Sequence, residues 1–227
     1  MTTDSPKYVI GLDLGTLSGR AVVIDTKDGD ELGSAVMDYP HGVMDHTLTA
    51  GDNQKLPPEF ALQVPADYLE VISTIVPKAI RQAKVQKNDI VGIGIDVTSA
   101  TVIVTDEEGT PLCEKEEFKN NPHAYAKLWK HHGAQEQAYR IVNLAREREV
   151  EWLERYGGEL SSEMLMPKAL ETLEKAPEVY NSAARIVNAL DWLTWIFTGN
   201  ESYAAGDSGY KRMYQDGKYP DEDFLTE

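Results

Sequence analysis

The sequence has little cysteine, little basic charge and no long apolar run. One of its 227 residues is cysteine, Cys113, so an internal disulfide is excluded and a reducing, cytoplasmic location is predicted. The chain has 22 lysines and arginines and 38 acidic residues, which gives a formal net charge of -16 and argues against a nucleic-acid partner. No stretch reaches the ~20 apolar residues that span a bilayer, and the first residues lack a basic region before an apolar one, so no membrane association is expected.

The chain does contain a polar turn between two β-prone runs near its start. Residues 11–20 read GLDLGTLSGR, with Tyr8-Val9-Ile10 before them and Ala21-Val22-Val23-Ile24 after them. Glycine there lets backbone amides approach a ligand, and hydroxyls and a guanidinium can bind phosphate oxygens. Asp13, at the end of the first strand, can hold Mg²⁺ through water. The expected phosphate-binding residues are Gly15, Thr16, Leu17, Ser18 and Arg20.

The rest of the chain predicts a mixed α/β fold with one sheet. Strands are expected at 7–14, 19–26, 31–39, 90–97 and 101–105, and a long loop at 40–64. The strand at 90–97 is apolar on both faces, which is typical of an interior parallel strand. The expected helices are 65–84, bent at Pro77, and 122–132, 134–146, 148–155, 163–175 and 187–198, the last ending at Gly199.

Residues 219–227 look like the opening of a helix, with proline and acids in the first turn. No stop signal follows, so we expect a further domain after Glu227. A frayed acidic tail is the alternative.

The turn motif Asp13-x-Gly-Thr-x-Ser-x-Arg on a first hairpin resembles the opening of the FGGY carbohydrate kinases, part of the actin–hexokinase–Hsp70 superfamily. Segments 41–46, 55–68 and 94–100 resemble the ribulokinase branch of that family in particular. In glycerol kinases the turn at Ser99-Ala100 carries Arg-Glu, and in xylulokinases Met-His. The small pair present here leaves room for a longer ketose.

Three later segments extend the resemblance over essentially all 227 residues. Segment 121–132 is similar to the substrate-side tryptophan segment of the family, and 191–199 to its D-W-L-T-W-x-L-T-G helix. Segment 205–211 matches the loop that supplies a sugar-contacting lysine. Phe197 stands where leucine is usual, which is a packing change with little functional weight.

The resemblance implies a ribonuclease H-like (actin/hexokinase-type) α/β domain with a mixed sheet and flanking helices. Residues 1–227 would be the N-terminal sugar-binding and phosphate-loop domain, and the C-terminal ATP-binding domain with the general base would be absent from this chain. The implied reaction transfers the γ-phosphoryl group of ATP to the 5-hydroxyl of L-ribulose in arabinose catabolism, with Mg²⁺ oriented by Asp13. This fragment alone is expected to be inactive. The implied sugar-binding residues are Asp96, Ser99, Ala100, Trp129 and Lys211.

Two other functions stay open: another FGGY kinase acting on xylulose, glycerol or a further polyol, and a non-enzymatic actin-like nucleotide-binding module. Asp13 could merely cap its turn, and Arg20 could merely pair with a surface acid. Trp129 could be a core aromatic and Lys211 a solvated surface lysine. The histidines at 123, 131 and 132 lack metal-ligand spacing, so structural zinc is not expected. A homodimer is one assembly considered, and the sequence does not select it.

Overall fold

A computed structural model describes residues 6–227, which divide into two compact units. The first unit comprises the chain up to Val43 together with Val64–Thr98, and the second comprises Met44–Gln63 with Ser99–Glu227. The strands are β1 Tyr8–Leu14, β2 Ser18–Asp25, β3 Glu31–Asp38, β4 Leu62–Gln63, β5 Ile90–Val97, β6 Val102–Thr105, β7 Ala126–Lys127 and β8 Arg185–Asn188. The helices are α1 Pro65–Ala83, α2 Gln135–Glu147, α3 Leu165–Lys175, α4 Pro177–Ser182, α5 Ala189–Thr198, α6 Ala205–Lys211 and α7 Glu222–Leu225.

The first unit is a four-stranded mixed sheet in the order β3-β2-β1-β5, with α1 packed across β2 and β3. The first three strands run antiparallel through tight turns, and β5 lies parallel to β1. In β1, Ile10, Leu12 and Leu14 are buried while Asp13 is exposed, as the period of two in a strand requires. The three predicted hairpin strands and the helix at 65–84 are confirmed.

Close packing of α1 on the sheet depends on a glycine in β3. A Cβ on Gly33 would lie 2.5 Å from the backbone nitrogen of Ala83 and 2.8 Å from the carbonyl oxygen of Ala79. Those are helix backbone atoms, so they cannot rotate away as a side chain could. Because glycine has only a hydrogen where other residues carry a Cβ, Gly33 allows the helix to approach the sheet this closely.

The expectation of an interior strand at 90–97 is wrong. Among the described residues of the first unit, β5 pairs with β1 and ends the sheet order. Val91 is 57% exposed and Ile93 is 55% exposed. An apolar run on both faces indicates a strand, but it does not determine how many neighbours that strand acquires.

The second unit has its own four-stranded sheet, in the order β4-β7-β6-β8, with antiparallel pairing throughout. The expectation of one sheet is therefore wrong, although the mixed α/β class is confirmed. Strand β8 occupies the start of the helix that was predicted from 187. No proline or glycine interrupts residues 186–197, so the change from strand to helix at Ala189 follows from pairing with the distant strand β6, whose residues Val102–Thr105 pair with all four residues of β8.

The helix prediction for 122–132 is also wrong. Proline fixes a 3₁₀ turn at Pro122–Ala124, β7 follows, and the chain then bends away from helical geometry. The segment predicted at 148–155 is a 3₁₀ helix, Glu151–Tyr156. Helices α2, α3 and α5 are confirmed, and α5 ends at Gly199 in left-handed conformation with φ 70°. Helices α4 and α6 were not predicted.

In the segment expected to open a helix, 219–227, the helix formed is the single turn α7, capped by the Asp221 carboxylate. Within residues 6–227, no helix combines the length and the apolar character needed to cross a membrane.

Candidate functional site

The β1–β2 turn of the first unit presents Asp13 and Arg20 to solvent. The two residues are cross-strand partners, with side chains 57% and 56% exposed and 3.8 Å between the Asp13 carboxylate and the Arg20 guanidinium. An exposed pair at this distance contributes little to stability. Both groups therefore remain accessible to a ligand.

The backbone of the turn is partly used within the fold. The Gly15 N–H donates to the Ser18 carbonyl over 3.0 Å, and the Leu17 carbonyl accepts from the Tyr39 N–H over 3.1 Å. The Gly15 amide thus makes a hydrogen bond within the turn, and the phosphate-binding role expected of residues 15–18 stays a prediction. The side chain of Leu17 is 65% exposed, and Thr16 and Ser18 are half-buried.

Asp96 lies beside Asp13 on the neighbouring strand. The register of β1 and β5 places the two residues directly opposite each other, and both are exposed. Two carboxylates with solvent around them offer hard oxygen ligands that suit Mg²⁺, which keeps several waters and binds through one or two carboxylates plus phosphate oxygens. Among residues 6–227 no three histidine, cysteine or acidic side chains group closely enough to hold a metal alone. The donor set therefore fits a water- and phosphate-assisted Mg²⁺ site.

A buried polar group lies behind this turn that the sequence did not reveal. Tyr39 is 4% exposed and packs edge-on against Tyr68, with ring centroids 5.3 Å apart. Burial, followed by the charges of Asp13 and Asp67, raises the pKa of Tyr39 above its usual value. Asp67 accepts hydrogen bonds from the backbone and the ring Nδ1 of His41, at 2.9 and 2.8 Å. The segments 41–46 and 55–68 were noted for family resemblance, which gave no hint of this network.

In the second unit, Ser99 and Ala100 form the turn before β6. Ala100 is 1% exposed and has a φ of 61°, the left-handed conformation that a side chain disfavours by roughly 1–2 kcal/mol. The Ser99 hydroxyl is 3.2 Å from the Asp207 carboxylate on α6. The turn is thus tied to the helix that carries Lys211.

Lys211 is not the solvated surface lysine considered as an alternative. It is 9% exposed, and its ammonium lies 3.6 Å from a Glu163 carboxylate oxygen and 4.6 Å from the ring centroid of Tyr210. Lys211 is the last residue of α6, four residues after Asp207, so the two side chains lie on the same face of the helix. A buried cation with a loose ion pair is suited to binding a polar ligand.

Trp129 follows β7 in a bend and is 40% exposed, although Leu128 before it is fully buried. It does not belong to a helix, and its exposure argues against the alternative that it is a core aromatic. A large aromatic surface of this kind is available for stacking on a sugar ring or chain.

Behind these residues lies a buried charged cluster made by Lys127, His131, Glu171 and Thr172, each at most 2% exposed. The Lys127 ammonium donates to the Glu171 carboxylate over 2.6 Å and to the Thr172 hydroxyl over 2.7 Å. His131 Nδ1 accepts from the Ala61 N–H, so Nε2 carries the proton and donates to Glu171 over 2.9 Å.

The pKa values of the cluster follow from this pairing. Burial alone would raise the pKa of Glu171, but the hydrogen bonds and charges of His131 and Lys127 outweigh it and hold that pKa at about 2. Burial lowers the pKa of His131 to about 4, although Glu171 opposes the shift. The geometry and these directions describe a neutral histidine beside an ion pair.

A second buried lysine, Lys168 on α3, has carbonyl partners instead. Its ammonium donates to the carbonyl oxygens of Ala100 over 2.6 Å, Leu128 over 2.7 Å and Lys127 over 3.3 Å. Burial lowers its pKa well below the usual value. Sequence reasoning missed Lys168 and Glu171 because charged residues are usually solvated; the one available signal was their place on the buried stripe of α3 with Leu165.

The expected site residues therefore divide between the two units. Asp13, Arg20 and Asp96 lie side by side on one face of the first sheet, on β1 and its neighbours β2 and β5. In the second unit, hydrogen bonds through Asp207 and Lys168 connect the three segments that carry the other expected sugar residues. Those residues are Ser99, Ala100, Trp129 and Lys211.

Comparison with known proteins gives consistent matches over this span. The model of the N-terminal domain of the FGGY family of carbohydrate kinases matches residues 8–219. The ribulokinase of Mycolicibacterium smegmatis is 48% identical over 223 residues, covering 98% of this chain and 40% of the relative. The ribulokinase of Bacillus licheniformis is 45% identical over 211 residues, covering 92% of this chain and 38% of the relative. The chain thus spans about two fifths of the length of these relatives.

Solved structures share the fold at low sequence identity. A gluconate kinase from Lactobacillus acidophilus superposes with a TM-score of 0.72 at 17% identity, covering 98% of this chain and 39% of that protein. A xylulose kinase from the same organism gives a TM-score of 0.70 at 16% identity, covering 97% and 39%. These similarities establish the fold of sugar kinases for the chain.

Proposed function

The chain belongs to the FGGY family of carbohydrate kinases, and from that membership we propose that it is the N-terminal domain of an ATP-dependent kinase that phosphorylates L-ribulose at its 5-hydroxyl. The observation that carries the proposal is its identity of 48% and 45% with two ribulokinases over nearly all of its length. The adenosine pocket and the general base are proposed to lie in the part of the enzyme beyond these residues.

In this proposal the first unit binds the transferring phosphoryl group. Asp13 and Asp96 supply carboxylate oxygens for a hydrated Mg²⁺, and Arg20 together with the 15–18 turn contacts phosphate oxygens. When bound, the metal neutralises charge that develops on the phosphoryl oxygens. The role of the protein groups is positioning and electrostatic stabilisation, which cost no reorganisation during the reaction.

The second unit binds the sugar. Trp129 offers an apolar surface, Lys211 a cation for hydroxyl oxygens, and the turn at Ser99 and Ala100 a small wall that accommodates an open-chain ketose. The small side chains of this turn differ from the residue pairs that the family resemblance leads us to expect in kinases for glycerol or xylulose. A kinase that consumes ATP needs the compartment in which ATP is supplied, so the proposal includes a cytoplasmic location.

The test is sugar-dependent ADP formation by the full-length enzyme that carries this domain, compared for L-ribulose, D-xylulose, D-gluconate and glycerol. L-Ribulose should give a kcat/KM at least tenfold above the others. A higher value for another substrate would contradict the assignment of L-ribulose, and nucleotide binding without sugar-dependent turnover would favour a non-enzymatic module.

Residues 1–227 alone, with ATP and Mg²⁺, should form no L-ribulose phosphate. Turnover by this chain would contradict the division of the site between two domains.

A further inference from the structure

Lys168 is a buried lysine whose ammonium lies among backbone carbonyl oxygens. It is 1% exposed, and the three acceptors, from Ala100, Leu128 and Lys127, lie 2.6, 2.7 and 3.3 Å away. Three acceptors match the three N–H donors of an ammonium group. Removing an ammonium group from water costs free energy, and these three hydrogen bonds are what mainly offsets that cost.

The two shorter bonds reach the two backbone segments that carry expected sugar-binding residues. The Ala100 carbonyl belongs to the turn that starts at Ser99, and Ala100 has a left-handed backbone that needs support from its surroundings. The Leu128 carbonyl belongs to the same planar peptide unit as the Trp129 N–H, and it accepts from both the Lys168 ammonium and, over 3.0 Å, the His131 N–H. The Lys168 bond therefore contributes to fixing the plane from which Trp129 projects. One ammonium therefore bonds both segments at once.

Lys127 provides a contrast within the same core. Lys127 is also buried, and it lies on strand β7. Its ammonium donates to the side chains of Glu171 and Thr172 and to the carbonyl of Lys168. These partners all lie on α3. Lys127 thus joins a strand to a helix, whereas Lys168 joins the Ala100 turn to the segment before Trp129.

We infer that Lys168 is a positioning residue for sugar recognition, which sets the spacing between the Ala100 turn and the Trp129 segment, an inference that rests on the proposed function. It does not touch the sugar or the reacting atoms. Misplacement of binding groups by about 1 Å can cost roughly 10²-fold in rate, so loss of this link should weaken sugar binding and catalysis together.

The test compares Lys168→Met, Lys168→Gln and Lys127→Met in the full-length enzyme. Methionine keeps the length of the side chain without a donor, and glutamine keeps two N–H donors. Lys168→Met should raise the KM for L-ribulose at least tenfold while the KM for ATP stays within twofold. Lys168→Gln should restore part of the sugar affinity, because it can still donate to the carbonyls.

Lys127→Met is the matched control, since it also removes a buried ammonium, one that links β7 to α3. It should lower the melting temperature by an amount similar to Lys168→Met and leave the KM for sugar within threefold. A normal sugar KM in folded Lys168→Met would overturn the inference, and so would a sugar KM in Lys168→Gln as high as in Lys168→Met or an equal rise in Lys127→Met.

The proposed function and the inference fail in different ways. If the wild-type enzyme prefers another sugar, the assignment of L-ribulose is wrong, and the variants are compared with the preferred sugar. If the wild type shows no sugar-dependent turnover, both the proposed function and the inference are wrong.

Discussion

Asp13 and Asp96 occupy opposite positions on the parallel strands β1 and β5, so two exposed carboxylates lie next to each other on one face of a sheet. Like charges at this spacing repel, and neither residue is required for the core. The Arg20 guanidinium lies 3.8 Å from the Asp13 carboxylate, and the proposed function adds a hydrated Mg²⁺ beside both acids.

Replacing Asp13 by asparagine should lower kcat of the full-length enzyme by about two orders of magnitude or more, since it removes a preorganised charge at the phosphoryl group. The melting temperature should change little, because the side chain is 57% exposed. Steady-state kinetics and thermal unfolding measure the two effects. Glu31→Gln, an exposed acid on β3, is the control and should leave kcat unchanged; near-normal turnover in Asp13→Asn would remove that residue from the mechanism.

Gly33→Ala should destabilise the first unit by about 1–3 kcal/mol, because the new methyl group would meet helix backbone atoms 2.5 and 2.8 Å away. Gly94→Ala, in β5 of the same sheet, would place its methyl group with no neighbouring atom within 4 Å and should be neutral or slightly stabilising. Chemical denaturation of both variants measures the difference. Equal effects would show that α1 can move away from β3 at little cost.

Stability should fall as pH drops from 6.5 towards 4. The pKa of His131 is about 4 in the folded chain against an ordinary value of 6.5, so the unfolded state binds more protons in that window. The loss from His131 is on the order of 3 kcal/mol, and His123, with a pKa of about 3, adds to it. Denaturation curves at several pH values give the slope.

His131→Gln should flatten that pH dependence, since glutamine can accept from Ala61 and donate to Glu171 without titrating. His46→Asn, at a side chain that is 95% exposed, is the control. An unchanged slope in His131→Gln would show that its proton uptake is not the cause.

Glu171→Gln should cost about 3–5 kcal/mol, because it leaves the Lys127 ammonium buried without a counter-charge. Adding Lys127→Met should recover most of that loss, since the double variant removes both members of the ion pair while glutamine still accepts from His131. A double-mutant cycle on unfolding free energies measures the coupling. Additive losses would indicate that the ion pair contributes no coupling energy.

Local pattern was enough to predict where the strands and the helix of the first unit lie along the chain. The alternation in β1 to β3 and the apolar stripe of α1 follow from residues close together in the chain. Strands β7 and β8 were missed because two to four residues carry no periodic signal, and their conformation depends on pairing with distant partners. The same holds for β5, whose exposure depends on which neighbours it has.

The candidate site was predictable only where residues resemble a motif. Asp13, Ala100 and Lys211 were identified from sequence, and their roles stay predictions. Lys168 and Glu171 were not identified, since each lies in an ordinary amphipathic helix and only the tertiary fold buries them. Distances such as 2.6 Å from the Lys168 ammonium to the Ala100 carbonyl arise between residues 68 positions apart.

The bond from Lys168 to two separate loops has a consequence for protein engineering. Libraries built to change sugar preference usually vary the side chains expected to contact the sugar, which in the proposed function are those at positions 100, 129 and 211. Such libraries would leave the spacing of the two loops as it is, because that spacing depends on a side chain that no sugar reaches. A library that also varies position 168 would sample pocket widths, and with them substrate lengths, that contact positions alone do not provide.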